Sequence, residues 1–273
     1  WVEHIGNSES TLVNASTWGL MLTGKVLENS KDPKVYNSIY SLIKKFGEPF
    51  IRKAVRAAMK EVGNQFVLGQ SIERAIKRGK SYQDKGYTFS YDMLGEAALT
   101  NNDAIDYTNA YADTISYLSK HCKSNDIKDN PGISVKLSAL YPRYELVHKK
   151  AVLEILGDRL LKLALLAKQA NMGLNIDAEE AARLDISLDI IEQVFSNPLL
   201  LGWNGFGVVV QSYSKRASEV LEWLYALSKK YNQKIMVRLV KGAYWDTEIK
   251  ISQSEGMKDF PVFTSKAATD ISY

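Results

Sequence analysis

The sequence contains one cysteine, Cys122, and three separated histidines, His4, His121 and His148. One cysteine cannot form a disulfide within the chain, which fits a reducing compartment, so we expect a cytoplasmic protein. The isolated histidines lack the spacing of a metal site, so no metal is predicted. No apolar run reaches the ~18 residues of a membrane-spanning helix, and we read no signal peptide at the start.

An excess of one charge is also lacking, since 35 Lys and Arg residues stand against 31 Asp and Glu residues. The basic residues are scattered, so we predict that this segment has no nucleic-acid partner. P-loop, nucleophile-elbow and EF-hand spacings are absent. The close glycines of GWNGFG (residues 202–207) precede a predicted strand, which is the wrong place for a dinucleotide-binding loop.

The 273 residues suffice for one large domain or two smaller ones, and 45% hydrophobic residues are typical of a globular protein. Residues 1–80 read as an all-helical region without a catalytic constellation. Apolar residues recur there at helical spacing in NASTWGLMLTGKVL, YNSIYSLIKKFG, EPFIRKAVRAAMKEVG and SIERAIKRGKSYQDKG.

Residues 81–273 read as a strand followed by a helix, five times over. The strand segments are YTFSYDMLGEAAL, GISVKLSAL, MGLNIDAEEA, GFGVVVQSY and KIMVRLVKGAYW. The helices are predicted over about 103–121, 147–170, 183–196, 216–231 and 247–256. Such alternation predicts an α/β fold with a parallel sheet.

Each predicted strand ends in a polar side chain that an apolar run should not contain. These residues are Asp92, Lys136, Asp177, Gln211 and Arg238. A (β/α)₈ barrel and a doubly wound sheet both place ligands at strand carboxyl ends, so the pattern leaves both folds open. A closed barrel needs three more strands, so the sequence reads as an open five-stranded sheet or a truncated barrel.

The polar set predicts a particular chemistry. Two cations with an amide, Lys136, Arg238 and Gln211, suit a planar polar cofactor that gains negative charge, such as a reducing flavin. Asp92 and Asp177 supply carboxylates, and Glu96, one turn beyond Asp92, is expected to join them.

The stretch KIMVRLVKGAYW, residues 234–245, allows two readings. Arg238 is either a ligand-facing residue or half of a structural ion pair, because an unpaired buried charge is costly. Gly242 and Ala243 either admit a flat ligand to the backbone or serve a turn. Tyr244 and Trp245 either wall the pocket or pack in the core.

Two further functions stay open at this point. A flavin-free lyase would use Lys136 as a Schiff-base nucleophile. A non-catalytic piece of a larger enzyme would need none of these residues for chemistry.

The motifs YDMLGEAALT, ISVKLSALYPRY, LNIDAEEA, GWNGFG with VVQSY, and VRLVKGAYWD with TEIK closely resemble the proline dehydrogenase domain of the proline utilization A family. NASTWGLMLTGK and GEPFIRKAV resemble the helical region that precedes this domain. The resemblance extends over essentially the whole chain.

The resemblance implies a distorted (β/α)₈ TIM-type barrel, with residues 81–273 as its N-terminal part. It implies FAD-dependent oxidation of L-proline to 1-pyrroline-5-carboxylate, the first step of proline catabolism to glutamate. A hydride passes from the proline ring to the flavin N5, and the electrons pass to a membrane quinone. Peripheral association with the inner membrane follows from that acceptor.

The resemblance also implies residue roles. It implies catalytic roles for Lys136 near the substrate carboxylate, Asp177 beside substrate and flavin, Arg238 near the flavin N5, and Tyr244. Asp92 and Glu96 would support the substrate site. The implied FAD-binding residues are Asp177, Ala178, Val209, Gln211, Arg238, Val240, Lys241, Gly242, Ala243, Tyr244, Trp245, Thr264, Lys266 and Thr269.

The sequence departs from the family in one respect. The family's later strands carry a paired arginine that clamps the proline carboxylate, and this sequence has no Arg-Arg dipeptide. We also find no ribbon-helix-helix segment and no aldehyde dehydrogenase domain. We therefore expect a barrel truncated after about five units, whose isolated activity is in doubt.

Overall fold

The computed structural model describes residues 66–273 continuously, together with residues 56, 59, 60 and 63. The chain divides into two compact units, Trp1–Asp84 and Lys85–Tyr273. In the first unit, helix α1 (Ile72–Gln83) begins after Ser71, whose side chain caps it. This helix confirms the one predicted in SIERAIKRGKSYQDKG. Of the other helical segments predicted over residues 1–80, only the four separate residues named above are described, and they are helical.

The second unit alternates strands with helices, as predicted. Its strands are β1 (Ser90–Asp92), β2 (Gly132–Val135), β3 (Leu174–Ile176), β4 (Phe206–Gln211) and β5 (Met236–Val240). Its longer helices are α2 (Asn101–Ser119), α3 (Gly157–Gln169), α4 (Leu184–Phe195), α5 (Ala217–Tyr231), α6 (Trp245–Ser254) and α7 (Lys266–Ser272). Shorter segments are Lys149–Ala151, the π-helical Val152–Leu156, and the 3₁₀ turns Ile127–Asp129, Leu137–Ala139, Leu146–His148, Ala181–Arg183 and Pro198–Leu200.

The five strands form one parallel sheet in the order β1-β2-β3-β4-β5. This confirms the predicted α/β fold with parallel strands and helical crossovers. The strand order follows the chain, without the reversal that creates the ligand crevice of a doubly wound sheet. Within the described residues, the sheet is therefore wound in one direction.

Local sequence explains where the elements begin and end. Thr100 and Asp103 form a reciprocal capping box at the start of α2. Helix α5 ends at Tyr231 and is capped by Asn232, which adopts the left-handed conformation with φ of 49°. All six residues of β4 are buried, as expected for an apolar strand covered on both faces. Strand β5 lies at the edge of the sheet and is only partly buried.

The core lies between the sheet and the helices. Helix α3 buries Leu160, Leu163, Ala164 and Ala167, spaced three and four residues apart. Helix α4 buries a similar stripe that ends at Phe195, whose ring packs against Phe206 of β4 with centroids 5.3 Å apart. This packing holds the helices behind the sheet and leaves the carboxyl ends of the strands to carry polar groups.

Candidate active site

Five of the predicted residues converge at the carboxyl ends of the strands: Asp92, Glu96, Lys136, Asp177 and Arg238, here called the Lys136 cluster. Asp92 ends β1, Lys136 follows β2 and Asp177 follows β3. Arg238 does not end its strand, and that part of the prediction is wrong. It is the third of five residues in β5, because Leu239 and Val240 continue the ladder with β4.

Lys136 is surrounded by three carboxylates. Its Nζ lies 2.8 Å from Glu96 Oε1, 3.3 Å from Asp92 Oδ1 and 3.7 Å from Asp177 Oδ2. The Glu96 side chain is almost completely buried, whereas that of Asp92 is 42% exposed. The pair of Glu96 with the partly exposed Lys136 is therefore better shielded from water than the pair with Asp92, and its charges interact more strongly.

Arg238 is held from two sides. Its Nη2 pairs with Asp177 Oδ1, and its Nη1 donates to the hydroxyl of Ser134, 3.0 Å away. Ser134 is fully buried and shares a hydrogen bond with Ser90, to which Asn175 also donates. Arg238 thus contacts a hydrogen-bonded group of polar side chains from the strands, Ser134, Ser90 and Asn175, while its own side chain stays 38% exposed.

Burial and neighbouring charges act in opposite directions on the pKa of Asp177, Glu96 and Lys136 in this cluster. Burial raises the pKa of Asp177 to about 6, although Arg238 and Lys136 oppose the change. Burial likewise raises the pKa of Glu96, against the hydrogen bond from Lys136. Burial disfavours the Lys136 ammonium, but its hydrogen bond to Glu96 and the surrounding carboxylates raise its pKa overall. Lys136 therefore remains protonated at neutral pH.

An open pocket of about 490 Å³ lies beside Lys136. Its lining includes Glu96, Lys136, Tyr141, Glu179, Arg183 and Tyr244. Tyr244 is half-buried, and this burial raises its pKa to about 12, so its hydroxyl stays neutral. The pocket lining thus combines charged side chains with the aromatic side chains of Tyr141 and Tyr244.

Gln211 joins two loops at the same end of the sheet. Its amide nitrogen donates to Glu179 O at 2.9 Å, and its amide oxygen accepts from Ala243 N–H at 2.9 Å. Val209 and Gln211 are both buried in β4. Gln211 thus holds the segment after β5 against the segment after β3.

Gly242 is in contact with another part of the protein. Its φ is 134°, and a Cβ added there would lie 2.4 Å from the ring of Tyr213. Close packing on Tyr213 is therefore a reason for glycine here that neither sequence reading contained, and the ligand-facing role of Gly242 stays a prediction. Val240 is half-buried and pairs with Gln211. Ala178 lines a second cavity between β3, β4 and α4, which Asp177 and Gln211 also line.

The remaining predicted cofactor residues lie around α7 and are not joined to the Lys136 cluster. Lys241 and Lys266 both pair with Asp270. The Trp245 indole N–H donates to Phe263 O at 2.9 Å.

The two predicted threonines of this region differ in exposure. Thr264 is exposed, whereas Thr269 is buried with its hydroxyl directed to Ser265 O. The binding roles of the residues around α7 stay predictions.

Sequence reasoning missed several residues that support the cluster. Ser90, Ser134 and Asn175 each lie two positions before a predicted residue, and a period of two places them on the same face of the sheet. That alternation was a usable signal. Glu179 accepts from Ser138 N–H and from Arg183, and Tyr111 reaches the cluster from α2. No sequence spacing links these last two to Lys136.

The described residues contain no group of three or more His, Cys, Asp or Glu side chains able to hold a metal ion. Within the same residues, no helix is long and apolar enough to cross a membrane.

Comparison with known families gives two matches. Residues 75–273 match the family model described as "Proline dehydrogenase", and residues 1–66 match "DNA-binding domain of Proline dehydrogenase". The second match contrasts with the prediction that this chain has no nucleic-acid partner. That prediction is therefore left without support. Nearly all of residues 1–66 lie outside the described part of the chain.

Similar proteins carry related names. The chain is 48% identical over its full length to the bifunctional protein PutA of Salmonella typhimurium and covers 21% of that protein. It is 28% identical over 184 residues to proline dehydrogenase 1 of Bacillus subtilis, covering 66% of this chain and 52% of that protein. The chain thus spans about a fifth of the PutA length.

Solved structures similar to this chain come from the same group of proteins. A mutant of Bradyrhizobium japonicum proline utilization A (PutA) is similar with a TM-score of 0.74 and 48% identity, over 85% of this chain and 24% of that one. Bdellovibrio bacteriovorus PutA, at 24% identity over 98% of this chain and 30% of that one, shares the fold with a TM-score of 0.79. The family resemblance read from the motifs is confirmed, and the chain belongs to the proline dehydrogenase family.

Proposed function

We propose that this chain contributes the Lys136 side of an FAD-dependent active site that oxidises L-proline to 1-pyrroline-5-carboxylate, the first step of proline catabolism to glutamate. The observation that carries the proposal is Lys136. Its ammonium is held by three carboxylates at strand carboxyl ends, beside the Arg238–Asp177 pair, in a chain of the proline dehydrogenase family.

The pocket beside Lys136 suits a small amino acid. Proline carries a carboxylate and a secondary ammonium, and the pocket offers both a cation and carboxylates. We propose that Lys136 binds the carboxylate of proline and that Asp92 and Glu96 lie on the side of its secondary ammonium. Tyr244, which lines the same pocket, would bound the proline ring with its neutral aromatic side chain.

The residues of β4 and β5 fit a flavin. Arg238 is partly exposed, and among the described residues it donates to Ser134 and Asp177, which leaves guanidinium N–H groups for a planar acceptor. When bound, FAD would accept a hydride at N5 and pass the electrons to a membrane quinone. Arg238 would hold positive charge beside the ring, Asp177 would orient Arg238, and Gln211 would keep Ala243 in place as part of the wall.

The proposal extends to the whole fold. We propose that residues 81–273 are the N-terminal part of a (β/α)₈ barrel, since the strands follow chain order and four polar residues lie at or directly after their carboxyl ends, Asp92, Lys136, Asp177 and Gln211. Residues 1–80 would form the preceding helical region. A membrane quinone as electron acceptor would require peripheral contact of the protein with the inner membrane from the cytoplasmic side.

The pKa of Lys136 weighs against the lyase alternative. A Schiff-base lysine must be neutral to attack a carbonyl, and it needs a lowered pKa. The carboxylates around Lys136 do the opposite and raise its pKa. Borohydride trapping of a carbonyl compound on Lys136 would favour the lyase.

Flavin absorbance tests the proposal directly. L-proline added without oxygen to the FAD-loaded full-length protein should bleach the flavin band, and D-proline serves as the stereochemical control. A folded full-length protein that cannot be loaded with FAD would contradict the proposal, as would a loaded one that L-proline does not bleach. Titration of the 273-residue chain alone addresses the remaining alternative, a fragment without independent activity.

Lys136→Met tests the assigned substrate contact. Loss of a charge-assisted hydrogen bond should lower kcat/KM for L-proline about 10- to 100-fold. The matched control is Lys149→Met, since Lys149 pairs with Asp189 on the surface, and its effect should stay within about twofold. Equal effects of the two substitutions would contradict a contact between Lys136 and proline.

A further inference from the structure

Tyr111 is a fully buried residue of helix α2 whose hydroxyl reaches the end of β2. It lies 3.2 Å from Lys136 N and 3.3 Å from Glu96 Oε1. Glu96 Oε1 also accepts from Lys136 Nζ at 2.8 Å. The three residues therefore form a closed ring of hydrogen bonds that includes both the backbone and the side chain of Lys136.

The direction of each hydrogen bond follows from the chemistry of its groups. A backbone N–H can only donate, so the Tyr111 hydroxyl oxygen accepts from Lys136 N–H. The hydroxyl hydrogen is then directed to Glu96 Oε1. Burial and the neighbouring Glu96 charge raise the pKa of Tyr111, which keeps this hydrogen in place at neutral pH.

The sheet explains why Lys136 N–H needs a side-chain partner. Gly132 N–H donates to Phe89 O on the β1 side, and Ile133 N–H donates to Gly173 O on the β3 side. Backbone groups alternate along a strand, so Lys136 N–H also faces β1. Asp92, the last residue of β1, is already paired with Ser134. Tyr111 thus supplies the acceptor that β1 is too short to provide.

We propose that Tyr111 is a positioning residue for the substrate site. Through one hydroxyl it holds the backbone that carries Lys136 and the carboxylate that orients the Lys136 ammonium. This inference rests on the proposed function, because it takes Lys136 and Glu96 as the substrate-facing pair. Tyr111 itself touches neither substrate nor cofactor in this scheme.

Tyr111→Phe in the full-length protein removes the hydroxyl and keeps the ring. Glu96 then loses a hydrogen bond to its charged form, so its pKa should rise by on the order of one unit. Infrared titration of the protonated carboxyl band, assigned by its loss in Glu96→Gln, measures this shift without turnover. Because the Lys136 ammonium is less well oriented, kcat/KM for L-proline should fall about tenfold.

Two control variants on α2 separate positioning from packing. Tyr117→Phe removes a hydroxyl from a ring that packs beside His121 at the end of the helix. Ile115→Val reduces a buried side chain one turn after Tyr111. Both variants should leave the pH midpoint of the carboxyl-band titration unchanged and kcat/KM within about twofold of the wild-type value. Thermal unfolding of each variant establishes that it is folded.

The proposal requires that Tyr111→Phe both raises the pH midpoint of the carboxyl-band titration and lowers kcat/KM. An unchanged midpoint overturns it, and so does an unchanged kcat/KM in a protein that oxidises proline. If the wild-type protein does not oxidise proline at all, the proposed function fails. In that case the infrared titration still decides whether Tyr111 binds Glu96.

Discussion

Asp177 lies between two cations and yet has a raised pKa. Arg238 and Lys136 both favour its ionised form, but the cost of burying the carboxylate outweighs them and leaves the pKa at about 6. Its oxygens contact Arg238 on one side and Lys136 on the other. The charge of Asp177 therefore changes close to physiological pH, directly beside both cations.

We predict opposite effects of this titration on activity and stability. As the pH falls through about 6, Asp177 is protonated and stops orienting Arg238, so kcat/KM for L-proline should fall. The folded pKa lies above the reference value of 3.8, so the folded state binds more protons between the two values. The stability from Asp177 is therefore complete below 3.8 and is lost as the pH rises to about 6.

A pH series of kcat/KM and thermal midpoints compares the wild type with Asp177→Asn. The variant should lack this acid limb in kcat/KM, and its midpoint should not share the decline seen in the wild type. Asp189→Asn, which alters a surface partner of Lys149, should follow the wild type in both measurements. A wild-type acid limb that persists in Asp177→Asn would contradict the assignment.

The connection after β5 is positioned by packing on a neighbouring loop. Gly242 adopts a φ of 134° and lies against the ring of Tyr213. Gln211 fixes the next residue, Ala243, through its backbone N–H. A backbone that close to an aromatic ring has no room for a side chain, so this element depends on glycine for steric as well as conformational reasons.

We predict that Gly242→Ala destabilises the protein by about 3–4 kcal/mol, because it combines an unfavourable φ with a clash on Tyr213. Gly256→Ala is the matched control, since Gly256 has a φ of 63° but open space around it, and should cost about 1–2 kcal/mol. Adding Tyr213→Leu to Gly242→Ala should recover part of the loss. Thermal midpoints decide, and equal losses for the two glycines would rule out the steric contribution.

At the scale of the whole molecule, the sheet has two edge strands within the described residues, β1 and β5. Ser212 N–H donates to Val240 O, so the backbone groups of Val240 face β4. By alternation, those of Val237 and Leu239 face the outer edge of β5. Val237 is an exposed apolar residue, which suits a strand that is covered by further structure.

If the full-length protein closes a barrel, a further strand pairs with this edge. We then predict slow amide exchange at Val237 and Leu239, comparable with that of Val208 and Val210 in the buried β4. Hydrogen–deuterium exchange of peptides spanning β4 and β5 measures this protection. Fast exchange at Val237 and Leu239, with slow exchange at Val208 and Val210, would show that β5 is an open edge and would contradict the barrel.

Much of the fold was predictable because it depends on local rules. The periods of the apolar residues predicted all five strands and the helices between them. The helix boundaries agree within about two residues when Lys149–Leu156 is counted with α3, whereas each strand is shorter than the segment predicted for it. The chemistry of the site was predictable only in part. A charged residue inside an apolar run is visible locally, as for Lys136 and Arg238, but the depth of Arg238 within β5 depends on how far the ladder with β4 continues.

The sequence by itself determined the parallel α/β architecture, four of the five polar residues at the strand ends and the family. These follow from periodicity and from ordered motifs, which are properties of neighbouring residues. Tertiary structure decided the partners. It placed three carboxylates around Lys136 and Tyr111 behind Glu96, and it set the pKa of Asp177 at about 6. Distances between residues far apart in the chain, and burial itself, arise only when the strands are side by side.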